Sequence, residues 1–180
     1  ATAPARRTLD PDVAAEQPQR VLFEGDGHRS YVTALALAGD HLVSGSYDGR
    51  LIWWSVAERK LVRDVTAHDH WIRRVLATPD GTRIISIADD MQIKAWDAAT
   101  GELIKAFTDH TLQTPHNFPS MLYAAACSAD GEWLATGDKT GHVAVWDLVS
   151  LERVGQVEAP VMYTWDPTQR RHSIGGIRGL

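Results

Sequence analysis

The sequence predicts an all-β fold built from repeated units of four antiparallel strands. Three observations support this prediction: a recurring tryptophan, residues of fixed type ahead of each tryptophan, and short runs of alternating apolar and polar residues. Trp54, Trp96 and Trp146 lie 42 and 50 residues apart, and the second interval is lengthened by an insertion. A period of this size is typical of repeat architectures.

The tryptophans share a set of preceding residues. A hydroxyl residue stands ten positions before each tryptophan, a turn residue stands six positions before it, and a histidine lies further back. In chain order the sets are His28, Ser44 and Asp48; His68, Ser86 and Asp90; and His110, Thr136 and Thr140. The order of residue types is therefore repeated three times, except that Thr140 replaces the aspartate.

Alternating runs of five to eight residues, separated by Gly, Asp and Pro turn signals, fill the space between these positions. No helical period competes with them. The predicted strands are 32–37, 41–46, 50–55 and 60–65 in the first unit; 71–78, 83–88, 92–97 and 102–107 in the second; and 121–128, 132–137, 142–147 and 152–157 in the third.

The units resemble the WD40 repeat family, in which a unit carries Gly-His near its start and Trp-Asp at its end. The resemblance covers about residues 20–180 and implies a partial WD40 β-propeller. It would contain three four-stranded antiparallel blades and the first strand of a fourth, preceded by a linker with three prolines. The boundaries are 1–19 for the linker, about 28–66, 68–107 and 110–158 for the blades, and 172–180 for the next blade.

The resemblance also implies a hydrogen-bonded tetrad in each blade, because a buried indole N–H and a buried hydroxyl need partners. The tetrads would be His28, Ser44, Asp48 and Trp54; His68, Ser86, Asp90 and Trp96; and His110, Thr136 and Trp146. Thr140 has no carboxylate to offer the third imidazole. Asp138 lies two residues before Thr140, and whether its carboxylate takes the place of the missing aspartate is left open. We therefore expect a defective third tetrad.

The two ends of the sequence look like parts of further blades. Residues 20–23 resemble the fourth strand of an absent last blade, and Arg171-His172 with the following apolar residues resembles the opening of another unit. Trp165-Asp166, followed by Pro167, is expected to lie in a loop. Three blades do not close a ring of the usual size, so we expect a longer natural chain and self-association of the shorter one.

The resemblance to the WD40 family also implies candidate partner contacts beside the tetrad residues, in loops that meet at one face of a propeller. Large aromatic side chains at loop edges make good contact anchors. Packing against the neighbouring blade is the alternative role. The candidates are Tyr31, Trp71 and Met121 before the first strands, and Tyr47, Asp89 and Lys139 before the tight turns.

An insertion at residues 111–120, TLQTPHNFPS, lengthens one of these loops by eight residues relative to the second unit. Two prolines stiffen it, and His116 and Phe118 make it a further candidate for partner contact. Long loops on rigid scaffolds often carry function. Neutral decoration of the fold is the alternative.

Composition and motifs argue against several function classes. The net charge of −5 argues against a nucleic-acid surface, and no apolar run is long enough to enter a membrane. Cys127 is the single cysteine, so no intrachain disulfide forms, and we expect it to be a small buried residue. His68, His70, His110 and His116 show no metal-ligand spacing, and we expect no metal and no cofactor.

The sequence therefore predicts a scaffold that mediates protein–protein or interdomain interactions without catalysis of its own. Apart from the tetrads there is no Ser-His-Asp arrangement, no phosphate-binding glycine loop and no pair of catalytic carboxylates. The alternative is an accessory propeller region of a larger multidomain enzyme, such as a kinase or cytochrome fusion. The sequence identifies neither the partner nor the compartment.

Overall fold

The fold is all-β, as predicted. The computed structural model describes residues 23–158, 163–166, 171–174, 176–177 and 179, and these residues contain strands and turns but no helix. The strands of the three main sheets are β1 Val32–Ala38, β2 His41–Ser46, β3 Arg50–Ser55 and β4 Lys60–Thr66; β5 Ile72–Ala77, β6 Arg83–Ala88, β7 Ile93–Asp97 and β8 Leu103–Phe107; and β9 Leu122–Cys127, β10 Trp133–Asp138, β11 His142–Asp147 and β12 Glu152–Glu158.

Each main sheet is an antiparallel meander in which consecutive strands are neighbours. The orders are β1-β2-β3-β4, β5-β6-β7-β8 and β9-β10-β11-β12. Every strand predicted for the three units is present, with ends that differ by at most one residue. In each sheet the loop before the first strand and the turn between the second and third strands lie at the same end, because the strands alternate in direction.

Two apolar cores hold the sheets together. The first core joins Val43 and Trp53 of the first sheet to Ile84 and Trp96 of the second. The second core joins the opposite face of the second sheet, including Ile85, to the third sheet. Ile84 and Ile85 are adjacent in β6, so the alternation of side chains along a strand sends them into different cores.

Hydrogen bonds between sheets supplement the two cores. The Trp53 indole N–H donates to the Ala98 carbonyl oxygen of the second sheet over 3.0 Å. Thr33 Oγ1 donates to the Ile72 carbonyl oxygen over 2.7 Å. These two bonds therefore join the first two sheets in addition to the apolar core.

A bulge interrupts the pairing near the start of the first strand in each sheet. The register shifts around Thr33 in β1, Arg73 in β5 and Tyr123 in β9, which lie between paired residues but have no paired partner of their own. A bulge locally changes the direction of a strand and re-aims its side chain. The three bulged residues lie at the sheet end where the predicted contact loops meet.

The segments beyond the three sheets differ from the sequence-based expectation in one respect. Trp165-Asp166 was expected to lie in a loop, and this is wrong: β13 Tyr163–Asp166 pairs with β14 Arg171–Ile174 in an antiparallel two-stranded sheet. At the other end, Glu24 forms a parallel bridge to Lys60 of β4. The linker and most of the strand predicted ahead of His28 lie outside the described residues.

Candidate functional site

The first two tetrads have complete hydrogen-bond chains. His28 Nδ1 lies 3.2 Å from each Asp48 carboxylate oxygen, His28 Nε2 lies 2.8 Å from Ser44 Oγ, and the Trp54 indole N–H donates to Ser44 Oγ over 2.9 Å. Since a carboxylate only accepts, the imidazole donates from Nδ1 and accepts the hydroxyl proton at Nε2.

The second tetrad repeats this geometry with deeper burial. His68 Nδ1 lies 2.9 Å from an Asp90 carboxylate oxygen and His68 Nε2 lies 2.7 Å from Ser86 Oγ, which accepts from the Trp96 indole N–H over 2.9 Å. Ser86 is inaccessible to solvent. Each of these polar groups is therefore satisfied inside the sheet.

The third tetrad is complete, which corrects the expectation of a defect. Asp138 supplies the missing carboxylate: His110 Nδ1 lies 3.0 Å from its Oδ2, His110 Nε2 lies 2.9 Å from Thr136 Oγ1, and the Trp146 indole N–H donates to Thr136 Oγ1 over 3.0 Å. Thr140, at the position of the other aspartates, donates its hydroxyl to Asp138 Oδ1 over 2.7 Å.

The backbone around Asp138 explains how the carboxylate reaches the imidazole. Asp138 is the last residue of β10 and pairs with Leu122, where the first sheet has Ser46 paired with Val32. Its Oδ1 accepts from the Thr140 backbone N–H, which leaves Oδ2 for His110. An aspartate followed two residues later by a threonine is a turn signal that could have indicated this arrangement.

The tetrad carboxylates have pKa values below the usual value for aspartate. Burial raises the pKa of Asp48, but hydrogen bonds from the Arg29 and Arg50 backbone and from His28 outweigh that effect. Burial likewise opposes the shift at Asp138, where His110 and Thr140 hold the pKa down. The ionised carboxylates therefore belong to the folded hydrogen-bond network.

The predicted contact residues lie together at one end of the first two sheets. The Tyr47 ring stacks on the Trp71 ring with centroids 4.4 Å apart, and Tyr31 meets Tyr47 edge-on at 6.1 Å. Tyr31 and Trp71 are 79% and 49% exposed, whereas Tyr47 is partly buried. These aromatic residues thus pack between the first two sheets and also form an exposed surface.

Arg73 organises this cluster and was missed by the sequence-based reasoning. Its guanidinium carbon lies 5.4 Å from the ring centroids of both Tyr47 and Trp71, and its nitrogens donate to the two Asp89 carboxylate oxygens over 2.8 and 2.7 Å. Asp89, a predicted contact residue, is thus neutralised by Arg73. We call Tyr31, Tyr47, Trp71, Arg73 and Asp89 the aromatic patch.

Met121 and Lys139, the candidates of the third sheet, continue the same surface. The Lys139 backbone N–H donates to the Met121 carbonyl oxygen over 2.9 Å, as Tyr47 does to Tyr31 and Asp89 to Trp71. Met121 Sδ lies 4.0 Å from Arg73 Nη2 and 3.5 Å from the Tyr123 hydroxyl. The equivalent positions of all three sheets therefore occupy one end of the molecule.

The insertion at 111–120 forms a hairpin. Gln113 and Pro119 form an antiparallel bridge, and the Ser120 backbone N–H donates to the Leu112 carbonyl oxygen over 3.0 Å. The side chains of Leu112 and Phe118 are 68% and 51% exposed. His116, at the turn, is also exposed. The hairpin thus presents apolar side chains beside the third sheet.

Three further features of the described residues concern membrane spanning, metal binding and the cysteine thiol. Among the described residues, no helix could span a lipid bilayer. Within the same part of the chain, no group of three His, Cys, Asp or Glu side chains is arranged to hold a metal ion. Cys127 is half-buried, and burial raises the pKa of its thiol.

Comparison with known families decides the identity of the repeats. The family model described as "WD domain, G-beta repeat" matches residues 17–55, 59–97 and 101–147, which together form more than half of the chain. The chain belongs to the WD repeat family. Each matched segment of this WD-repeat chain ends on the residue that follows a tetrad tryptophan. Proteins of the family act as protein-interaction scaffolds.

Curated relatives share this repeat region at low identity. The chain is 27% identical over 124 residues to the nuclear distribution protein PAC1 of Coccidioides posadasii, a match that covers 62% of this chain and 26% of that protein. It is 32% identical over 108 residues to human pre-mRNA-processing factor 17, covering 58% and 18% of the two chains. The WD-repeat chain thus spans about a quarter or less of the length of these relatives.

Solved structures agree with the fold. The computationally designed Ika4 protein superimposes with a TM-score of 0.63 and 25% identity, covering 79% of this chain and 81% of that one. The WD40 repeats of RRP9 superimpose with a TM-score of 0.66 and 18% identity, covering 74% of this chain and 40% of that one. The second likeness concerns the fold alone.

Proposed function

We propose that this WD-repeat segment is a non-catalytic scaffold that binds a protein partner through the aromatic patch. The patch combines side chains held by several contacts with exposure to solvent. Trp71 is held by stacking on Tyr47 and by the Arg73 guanidinium, yet half of its surface is open to solvent. Tryptophan, tyrosine and arginine are the residue types that dominate binding energy at protein interfaces.

The structural support of the patch favours recognition over packing alone. An aromatic pair contributes about 0.5–1.5 kcal/mol beyond its buried area, and a cation over a ring adds about 0.5–1 kcal/mol. These contacts fix the Trp71 ring before a partner arrives, so less side-chain entropy is lost on binding. Tyr31 lies at the edge of the pair and remains almost fully exposed.

The hairpin at 111–120 is proposed as a second contact element beside the patch. Its Leu112 and Phe118 side chains are exposed, and the Lys139 ammonium donates to the Pro119 carbonyl oxygen over 3.2 Å. Since Lys139 follows Asp138 of the third tetrad, the hairpin is tied to a rigid part of the sheet.

Affinity capture with quantitative mass spectrometry tests the proposal, using the unmodified chain, Trp71→Ala and Trp133→Ala. Trp133 is a matched control, because it is 41% exposed and lies at the opposite end of the third sheet. We expect partners captured by the unmodified chain and by Trp133→Ala to be lost with Trp71→Ala. Identical partners for all three proteins, each with an unchanged circular dichroism spectrum, would exclude the patch.

A further inference from the structure

A pocket of about 800 Å³ opens beside the aromatic patch, between the first strands of the three sheets. Tyr47, Arg73, Met121 and Tyr123 line it at the patch side, and Arg74 lines it further along β5. All three bulged residues, Thr33, Arg73 and Tyr123, line this space. Bulges next to binding sites commonly serve to re-aim a side chain in this way.

The charge of the pocket is opposite to that of the whole chain. Its lining contains two arginines and no aspartate or glutamate, although the net charge of the chain is −5. Arg73 is committed to Asp89 and to the aromatic rings. The pocket therefore keeps one net positive charge, which comes from Arg74.

Arg74 has no structural task in the described part of the chain. Its side chain is exposed and makes no hydrogen bond or ion pair with the residues that the structure describes. By strand pairing, Arg74 opposite Ile87 is equivalent to Ala34 opposite Gly45 and to Ala124 opposite Gly137. The other two sheets therefore have alanine at the position that Arg74 occupies.

From these observations we infer that the pocket binds a carboxylate side chain of an acidic peptide segment in the protein partner. This inference rests on the proposed function, because the pocket and the aromatic patch share Tyr47 and Arg73. One free guanidinium matches a single carboxylate, which it can bind through two parallel hydrogen bonds. The rings of Tyr47 and Tyr123 and the thioether of Met121 provide apolar surface for the neighbouring peptide residues.

The test is a selection from a phage-displayed library of random peptides on the unmodified 180-residue chain. Affinities of the selected peptides are then measured by fluorescence anisotropy for the unmodified chain, Arg74→Ala and Lys105→Ala. Lys105 is an exposed cation on β8, so its loss changes the net charge equally without touching the pocket. Arg74→Ala installs the residue that the other sheets already carry.

We expect selected peptides to contain aspartate or glutamate, and Arg74→Ala to weaken them by roughly tenfold. Lys105→Ala should leave the affinity unchanged. Replacing the acidic residue with its amide should cause the same loss as Arg74→Ala, and the two changes together should add nothing further. Added salt should weaken the acidic peptides and leave their amide versions unaffected.

Three outcomes would overturn the inference, and they separate it from the proposed function. In the first, the selected peptides need Trp71 for binding but show no preference for acidic residues. This result would refute carboxylate binding in the pocket and would still support partner binding through the aromatic patch. Peptides with phosphoserine in place of glutamate provide the second outcome. If this replacement raises the affinity by a larger factor than replacing glutamine by glutamate does, the pocket is assigned to phosphate. Selected peptides that bind Trp71→Ala and Arg74→Ala as well as the unmodified chain would exclude both proposals.

Discussion

A tetrad imidazole can take its carboxylate from either of two positions on the chain. In the first two sheets the aspartate follows the hydroxyl residue by four positions, and in the third sheet Asp138 follows Thr136 by two. Both routes end with an aspartate oxygen about 3 Å from Nδ1. The hydrogen-bond geometry, rather than the sequence spacing, is what the three sheets have in common.

Moving the third carboxylate tests this equivalence. Asp138→Ser should lower the free energy of unfolding by about 2–3 kcal/mol, because it leaves the buried His110 N–H without its acceptor. Asp138→Ser combined with Thr140→Asp reproduces the Ser46 and Asp48 arrangement of the first sheet and should recover at least half of that loss. Urea denaturation followed by tryptophan fluorescence gives both values.

Thr140→Asp alone is the control for the exchange. It places a second carboxylate next to Asp138, and like charges at this distance repel, so this variant should also be destabilised. The two single changes would then be strongly non-additive, with the double variant more stable than either. A double variant no more stable than Asp138→Ser would show that Thr140 is not an equivalent position.

At the scale of the strand, local pattern was sufficient to predict most of the fold. Alternation, turn residues and the repeated tryptophans are all properties of short segments, and the predicted strands agree with the structure to within one residue at each end. Trp165-Asp166 shows the limit of this reasoning. It pairs with Arg171-His172, only a few residues further along the chain, but Pro167 directly after Asp166 indicated a loop instead of a strand.

The candidate site was only partly predictable for the same reason. Tyr47 and Trp71 are large aromatic residues at loop edges, which the repeat alignment indicates directly. Arg73 acts through a bulge that changes its direction, and a bulge is not visible in the alternation of β5. The role of Asp138 in the third tetrad was not predicted, because the alignment compared only residues at equal distances from the tryptophan.

The hairpin at 111–120 is an element that the third sheet should tolerate losing. Leu112 and Ser120 are already joined by a 3.0 Å hydrogen bond, so deletion of 113–119 connects backbone atoms that lie close together. Shortening a surface loop changes the closure entropy only slightly. We expect the free energy of unfolding to change by less than about 1 kcal/mol, measured by urea denaturation.

Substitution of Leu112 and Phe118 by serine is the matched variant for this deletion. It keeps the hairpin backbone and removes the two exposed apolar side chains. If the hairpin contacts a partner, both variants should weaken capture of that partner to a similar degree. Cooperative unfolding lost by the deletion but kept by the double serine variant would instead assign the hairpin a role in stability.

At the scale of the molecule, equivalent faces of the three sheets have different surroundings. Val75 of the second sheet is 4% exposed, because it packs on the first sheet. The equivalent residue of the first sheet, Leu35 opposite Ser44, is 60% exposed, and Leu37 in the same strand is 67% exposed. This face of the first sheet therefore has the apolar residues of a junction between sheets, but no described sheet packs on it.

The outer face of the third sheet is the counterpart of that junction. Val157, paired with Val143, is 61% exposed on the face opposite the second apolar core. Ile177 packs against Gly137 there, as Ile72 of the second sheet packs against Gly45 of the first. Beside Ile177, the exposed part of this face around Val157 therefore offers a surface on which a further sheet would pack, and the first sheet of another copy has the matching face.

We accordingly expect the chain to self-associate head to tail, with the first sheet of one copy on the third sheet of the next. Contacts between unlike faces extend into open chains unless the rotation closes a ring. Sedimentation velocity should show a mass that rises with protein concentration. Leu35→Lys with Leu37→Lys should block one face, and Val157→Lys should block the other, so each variant alone should sediment as a monomer.

Mixing the two variants distinguishes head-to-tail contact from pairing of like faces. The lysine variant of the first sheet keeps an intact third sheet, and Val157→Lys keeps an intact first sheet. An equimolar mixture has a single productive contact and should form a dimer that grows no further. If first sheets paired with each other, Val157→Lys would dimerise by itself and the mixture would add nothing. A monomer at every concentration of the unmodified chain would contradict both arrangements.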